Sequence, residues 1–211
     1  MKWMRSTTIV AAFAAISLSL VTTAAEAQGS DSKVEASLLG GLQILNKNDT
    51  ALPDQFVNIP VVYSLGYRLT PVVALEGEFT WMIPLQQSVE LGPGSSQDRK
   101  TPDILAYQAN VRANWPLSSA WSPYVAGGVG ALTILSQTDA DRVPQLTESQ
   151  TMFALNFGAG VQYGLNPRWA LRGDFREFVG FPAKDAQGLS DASGADPIWT
   201  ERAVVGLAYR F

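Results

Sequence analysis

The stretch Thr151–Phe178, TMFALNFGAGVQYGLNPRWALRGDFREF, decides the fold. Every second residue from Phe153 is apolar or aromatic: Phe153, Leu155, Phe157, Ala159, Val161, Tyr163 and Leu165. Between them stand Met152, Ala154, Asn156, Gly158, Gly160, Gln162 and Gly164, mostly small or polar. Period-2 alternation marks a strand with two different faces. Asn166-Pro167 breaks the pattern as a tight turn would. It resumes with Trp169, Leu171, Gly173 and Phe175 on one face and Ala170, Arg172, Asp174 and Arg176 on the other. In a soluble barrel the charged set would face water outside. In a membrane barrel the apolar set faces lipid and the charges face the lumen.

The same alternation recurs along the chain. The apolar sets are Val34–Ile44, Ile59–Leu69, Val73–Ile83, Leu105–Trp115 and Ala203–Phe211, each opposed by small or polar residues. Trp121–Leu135 is glycine-rich, and its parity is not assigned by pattern. With the opening hairpin these make eight strands of about 10–13 residues. At about 3.3 Å per residue and a tilt of about 40°, ten residues span the ~25 Å apolar band of an outer-membrane barrel. The connections alternate long and short. Thr70-Pro71, Pro116–Ser119 and Asn166-Pro167 are short; Asn46–Phe56, Leu85–Pro102, Ser136–Gln150 and Gly180–Pro197 are long loops. Short periplasmic turns and long external loops follow this rule. The expected fold is therefore all-β, an eight-stranded antiparallel up-and-down transmembrane β-barrel.

A weak repeat supports the count. Residues 67–79, YRLTPVVALEGEF, match 163–175, YGLNPRWALRGDF, at seven of thirteen positions with an offset of 96. One hairpin is used twice, four strands apart. Tyr67, Trp115, Trp121, Tyr163, Trp169, Tyr209 and Phe211 are expected at the short-turn rim. Trp81, Phe153, Phe178 and Trp199 are expected at the outer rim, giving two interfacial belts.

Composition sets the compartment. Lys2 and Arg5, the apolar run Ile9–Val21 and the small-x-small site Ala25-Glu26-Ala27 form a cleavable export signal over 1–27. The expected mature barrel domain is 28–211, with thirteen basic and eighteen acidic residues. Outside the long loops, residues 31–211 hold eight of each sign; the loops hold five basic and ten acidic. There is no cysteine, hence no disulfide or thiolate metal site. There is no histidine, the commonest general base and metal ligand. No basic cluster suggests nucleic acid. Gly127-Gly128-Val129-Gly130 lacks the lysine and helix of a phosphate cradle.

The segments Trp121-Ser-Pro-Tyr-Val-Ala-Gly-Gly-Val-Gly and Gly158–Trp169, with the terminal Tyr209-Arg210-Phe211, resemble the outer membrane protein A-like family of small eight-stranded barrels. The resemblance covers Lys33–Phe211. It implies the bacterial outer membrane, with its lipids and lipopolysaccharide as surroundings, and a monomer. It implies that Phe211 is the recognition element for the barrel assembly machinery. The family's frequent peptidoglycan-binding domain has no counterpart after Phe211, so cell-wall anchoring is not expected. Small-barrel enzymes of this membrane rely on a histidine base, so no catalytic activity and no cofactor or metal is expected.

The candidate site is the lumen, an ionic network of Glu76, Glu78, Arg112, Arg172, Asp174, Arg176 and Arg202, with Glu35, Arg68 and Arg210 on the same face. Balanced charges in a narrow tube should pair. Glu76 or Glu78 is expected to meet Arg112 on the next strand, and Asp174 to meet Arg202 on its neighbour. An eight-stranded barrel is only wide enough for side chains to fill it, which favours a plugged, structural interior with exposed loops. The alternatives are a low-conductance porin lined by Arg172, Arg176, Glu76 and Glu78, a surface adhesin acting through Leu85–Pro102 and Gly180–Pro197, and a soluble lipocalin-like carrier. Asp139, Asp141, Asp191 and Asp196 make the outer loops acidic without the spacing of a calcium loop.

Overall fold

The computed structural model describes residues 33–46, 56–92, 95–117, 120–184, 186, 189 and 196–211. The expected export signal lies outside the described residues. So do residues 47–55 of the first long loop and half of the fourth, Asp191 included.

Ten strands follow in order: β1 (Val34–Asn46), β2 (Phe56–Arg68), β3 (Val73–Pro84), β4 (Gln87–Gly92), β5 (Ser95–Arg99), β6 (Ile104–Asn114), β7 (Trp121–Ile134), β8 (Gln150–Gly164), β9 (Trp169–Phe181) and β10 (Ile198–Arg210). Eight of them close a barrel in the order β1-β10-β9-β8-β7-β6-β3-β2, with β1 pairing back onto β2. All its pairs are antiparallel. Closure leaves no unpaired edge, as backbone groups in hydrocarbon require. The remaining pair, β4–β5, is a separate two-stranded sheet inside what the sequence reads as a plain loop.

The repeat has a structural meaning. At the β2–β3 turn the Thr70 hydroxyl accepts from the backbone N–H of Val72 and Val73, at 3.2 and 2.9 Å. At the β8–β9 turn the Asn166 side-chain oxygen accepts from Arg168 and Trp169, at 2.9 and 2.8 Å. Thr and Asn both close such turns through their own side chains, and the following proline fixes φ. Since β3 and β9 are four places apart in a ring of eight, the two copies stand on opposite walls.

The orientation is unambiguous. Phe175 is 52% and Val205 56% exposed on the outer wall, whereas Arg172, Arg176 and Arg202 are 0% exposed inside. Tyr124, Ala126, Leu132 and Ile134 face inward on β7, against the exposed Val125 and Val129. That fixes the parity its glycines obscure. Aromatic contacts gather at the short-turn rim: Trp121 with Tyr163 and Trp169 with Tyr209, both at 4.8 Å, and Tyr209 with Phe211 at 5.1 Å. One belt residue is corrected. Phe178 is fully buried in the lumen, because it shares the parity of Asp174 and Arg176. Phe181 takes the outer position instead, against Phe153 at 6.1 Å.

Candidate functional site

Each strand sends alternate side chains into the tube, and β3, β6, β9 and β10 supply the seven charges of the expected network. Glu76 and Glu78 come from β3, Arg112 from β6, Arg172, Asp174 and Arg176 from β9, and Arg202 from β10. All seven are buried in the lumen.

Arg172 meets Glu76 at 2.7 Å, and Arg176 meets it at 2.6 Å. Arg172 and Glu76 occupy equivalent positions of the repeat, so it sets opposite charges face to face across the tube. Arg176 also reaches Glu78 at 3.2 Å and Asp174 at 3.0 Å. Arg202 bonds Glu78 at 2.7 Å and Asp174 at 3.1 Å. Glu76 also receives Arg112 at 3.3 Å. The neighbour pairs Glu76–Arg112 and Asp174–Arg202 therefore form, but the shortest contacts span the lumen. The tube is narrow enough for a long guanidinium arm to reach the far wall.

Two residues complete the cluster. Tyr124 of β7 donates its hydroxyl proton to Asp174 at 2.7 Å and accepts from Arg172 Nε at 2.8 Å. Its ring lies 5.2 Å from the guanidinium carbons of both Arg112 and Arg172, a double cation–π contact. Gly160 makes room for it: a Cβ there would stand 2.3 Å from the Tyr124 ring and hydroxyl. Tyr124 was missed because its strand had no assigned parity, yet its alternation with the branched Val125 and Val129 was a usable signal. Glu35 of β1 binds Arg112 at 2.9 Å and Arg210 at 3.1 Å.

Balance across the strands does not carry over to the lumen. Glu177 and Glu201 lie on the outward parity of β9 and β10, directly opposite each other. Among the described residues the interior holds six arginines, Arg68, Arg112, Arg172, Arg176, Arg202 and Arg210, against four carboxylates, Glu35, Glu76, Glu78 and Asp174.

Beside the charges stand amides: Gln108 and Asn110 of β6, in register with Glu78 and Glu76, accept from Asn156 at 2.9 and 2.7 Å. Toward the loops Thr101 donates to Asn58 at 3.1 Å. Higher still the inward face turns apolar, a change the sequence reading did not anticipate. Leu45, Phe56, Met82, Ile104, Leu132, Ile134, Met152 and Ile198 form one buried cluster with Leu146, Ala186 and Leu189 of the third and fourth loops. The loops thus dip into the barrel and stopper it.

Outside, the β4–β5 hairpin is laced to the third loop. Lys100 N donates to Asp141 O at 2.9 Å and Val143 N to Lys100 O at 3.0 Å. Lys100 Nζ meets the Asp141 carboxylate at 2.9 Å, and Arg142 donates to Thr101 O at 2.8 Å. Arg99 donates to Ala140 O. The Lys100 hydrogen bond holds the Asp141 carboxyl below the usual carboxylate range. Among the described residues no group of three or more acidic side chains could hold a metal ion.

Known proteins share this architecture. The N-terminal β-barrel domain of Pseudomonas aeruginosa OprF is 16% identical with a TM-score of 0.51, over 84% of this chain and 96% of that one. Neisserial surface protein A is 13% identical with a TM-score of 0.54, again over 84% and 96%. At such identities the likeness is one of fold. No curated protein is detectably similar in sequence. The sequence model of the outer membrane protein beta-barrel domain matches residues 13–211; greasy outside, ionic inside and closed on itself, the chain belongs to that family and is an integral protein of the bacterial outer membrane.

Proposed function

We propose that this protein is a closed structural barrel that spans the outer membrane on its eight strands and presents a rigid loop platform to the exterior. The observation that carries this is the zero exposure of Arg172, Arg176 and Arg202, each bonded to carboxylates of other strands. Zero exposure means that no space as large as a water molecule adjoins them. A buried ionic layer of this kind resists ion passage, because a permeating ion would have to replace partners already in place. The apolar stopper above it is a second barrier in series. This disfavours the porin reading. Planar-bilayer recordings of the full chain should show no discrete openings; steady unitary steps would defeat the proposal.

The laced β4–β5 platform favours a second role for the same molecule, contact with other surfaces through the third loop and the hairpin. Excising residues 86–99 should abolish adhesion of cells expressing the protein while leaving the barrel folded. In this reading residues 1–27 are a removed export signal and 28–211 the mature domain. N-terminal sequencing of protein from outer membranes should then begin at Gln28. Phe211, packed against Tyr209 at the short-turn rim, is the assembly signal. The barrel acts as a monomer among phospholipid and lipopolysaccharide, without catalytic chemistry or cofactor.

A further inference from the structure

We propose that the short-turn mouth of the lumen is a binding site for a small oxyanion, a phosphate or carboxylate group. A cavity of about 260 Å³ opens there, lined among others by Glu35, Arg68, Arg112, Asn114, Gln162 and Arg210. Roughly 10–15 Å³ of such space suffices for one water molecule, so the cavity takes an ion and several waters.

The charge of the lumen is uneven along its axis. In the middle, Arg172, Arg176 and Arg202 face Glu76, Glu78 and Asp174, three against three. The excess of two guanidiniums therefore falls at the mouth. There Glu35 is the one carboxylate in the cavity lining, and it is already shared by Arg112 and Arg210. Among the described residues Arg68 has no acidic partner. Arg112 is only 5% exposed, yet its Nε has no hydrogen-bond partner. A buried donor without an acceptor is costly, and Arg68, half-buried at the mouth, lacks a counter-charge. An oxyanion in the cavity would supply both. Guanidinium forks fit the paired oxygens of phosphate and carboxylate, and the amides of Asn114 and Gln162 add neutral donors. The concave, low-dielectric walls concentrate the positive field.

The test is calorimetric titration of the detergent-solubilised full chain with inorganic phosphate and, separately, with succinate, in chloride-free buffer. Saturable one-to-one binding of either anion is expected, weakening as salt is added. Arg68→Gln should weaken it roughly tenfold or more, since one charge-assisted contact is lost. Arg168→Gln removes an exposed arginine of the adjoining β8–β9 turn and should leave the affinity unchanged. Heat-modifiable mobility on gels shows that each variant is folded. Tighter binding of phosphate or of succinate assigns the anion class. Absence of saturable binding by both anions, or an equal loss in Arg168→Gln, overturns the site.

Discussion

The lumen has two halves, built by the same strands and held closed by opposite means. Toward the short turns, β3 carries Glu76 and Glu78 and β10 carries Arg202; toward the loops the same faces carry Met82 and Ile198. The ionic half depends on direction and number, because every guanidinium must find its acceptors. It is assembled wholly from strands, whose register fixes each side chain. The apolar half depends on area, which has no direction. It can therefore be completed by loops, and Leu146 and Leu189 do so. Rigid walls serve the interaction that needs geometry; the adaptable segments serve the one that does not.

Removing Glu76 should break the first half most severely. It is the acceptor for Arg112, Arg172 and Arg176. Glu76→Gln would take one charge-paired contact from each of three buried cations, and breaking buried pairs costs about 3–5 kcal/mol. The expected readout is a lower urea midpoint for the folded barrel in lipid vesicles. Leu146→Ala tests the second half. Core leucine truncations cost about 2–5 kcal/mol, and a loop that can settle into the space should sit near 2. Its readout is faster proteolysis between residues 135 and 149 with little change in the barrel itself. If the halves are independent the double variant adds; a large departure from additivity would show one coupled core.

Tyr124→Phe is a finer probe of the ionic half. It keeps the ring between Arg112 and Arg172 but deletes the hydroxyl that bonds Asp174 and Arg172. Leaving those groups short of a partner costs about 1–3 kcal/mol, again read as a shifted urea midpoint. A null result would mean that the cation–π contacts, and not the hydroxyl, hold the ring.

How much of this could be read from the chain follows the same division. Period 2 is a backbone property, so the strands, their short turns and the inward arginines of β9 were all legible. Phe178 falls in the wrong belt when aromatic chemistry is weighed above parity, which puts it in the lumen. Partners across the lumen were not legible, because alternation says which face a side chain is on and nothing about the far wall. The exception was visible in principle. The repeat that aligns Glu76 with Arg172 sits at an offset of four strands, which in a ring of eight is the opposite side. The apolar upper lumen and the laced hairpin were hidden because loop residues such as Leu146 meet strands distant in sequence.

The smallest effect is expected outside the lumen, where the same kinds of charge are wet. Lys100 and Asp141 form an ion pair with side chains 27% and 38% exposed, and exposed pairs are screened by salt. Asp141→Asn should leave the urea midpoint unchanged. The Asp141 carboxyl is held below its usual value by Lys100, so its contribution is present at neutral pH and disappears only as pH falls through that lowered value. Between pH 7 and pH 5, proteolysis of residues 135–149 should therefore stay constant. Below the ordinary aspartate range, near pH 4 and under, it should rise modestly toward the rate of Asp141→Asn. The backbone bonds of Lys100 to Asp141 and of Val143 to Lys100 do not titrate, so the platform should survive protonation. If it came apart with acid, the ion pair and not the backbone ladder would be holding it, and the exterior would resemble the ionic half of the lumen more than its position in water allows.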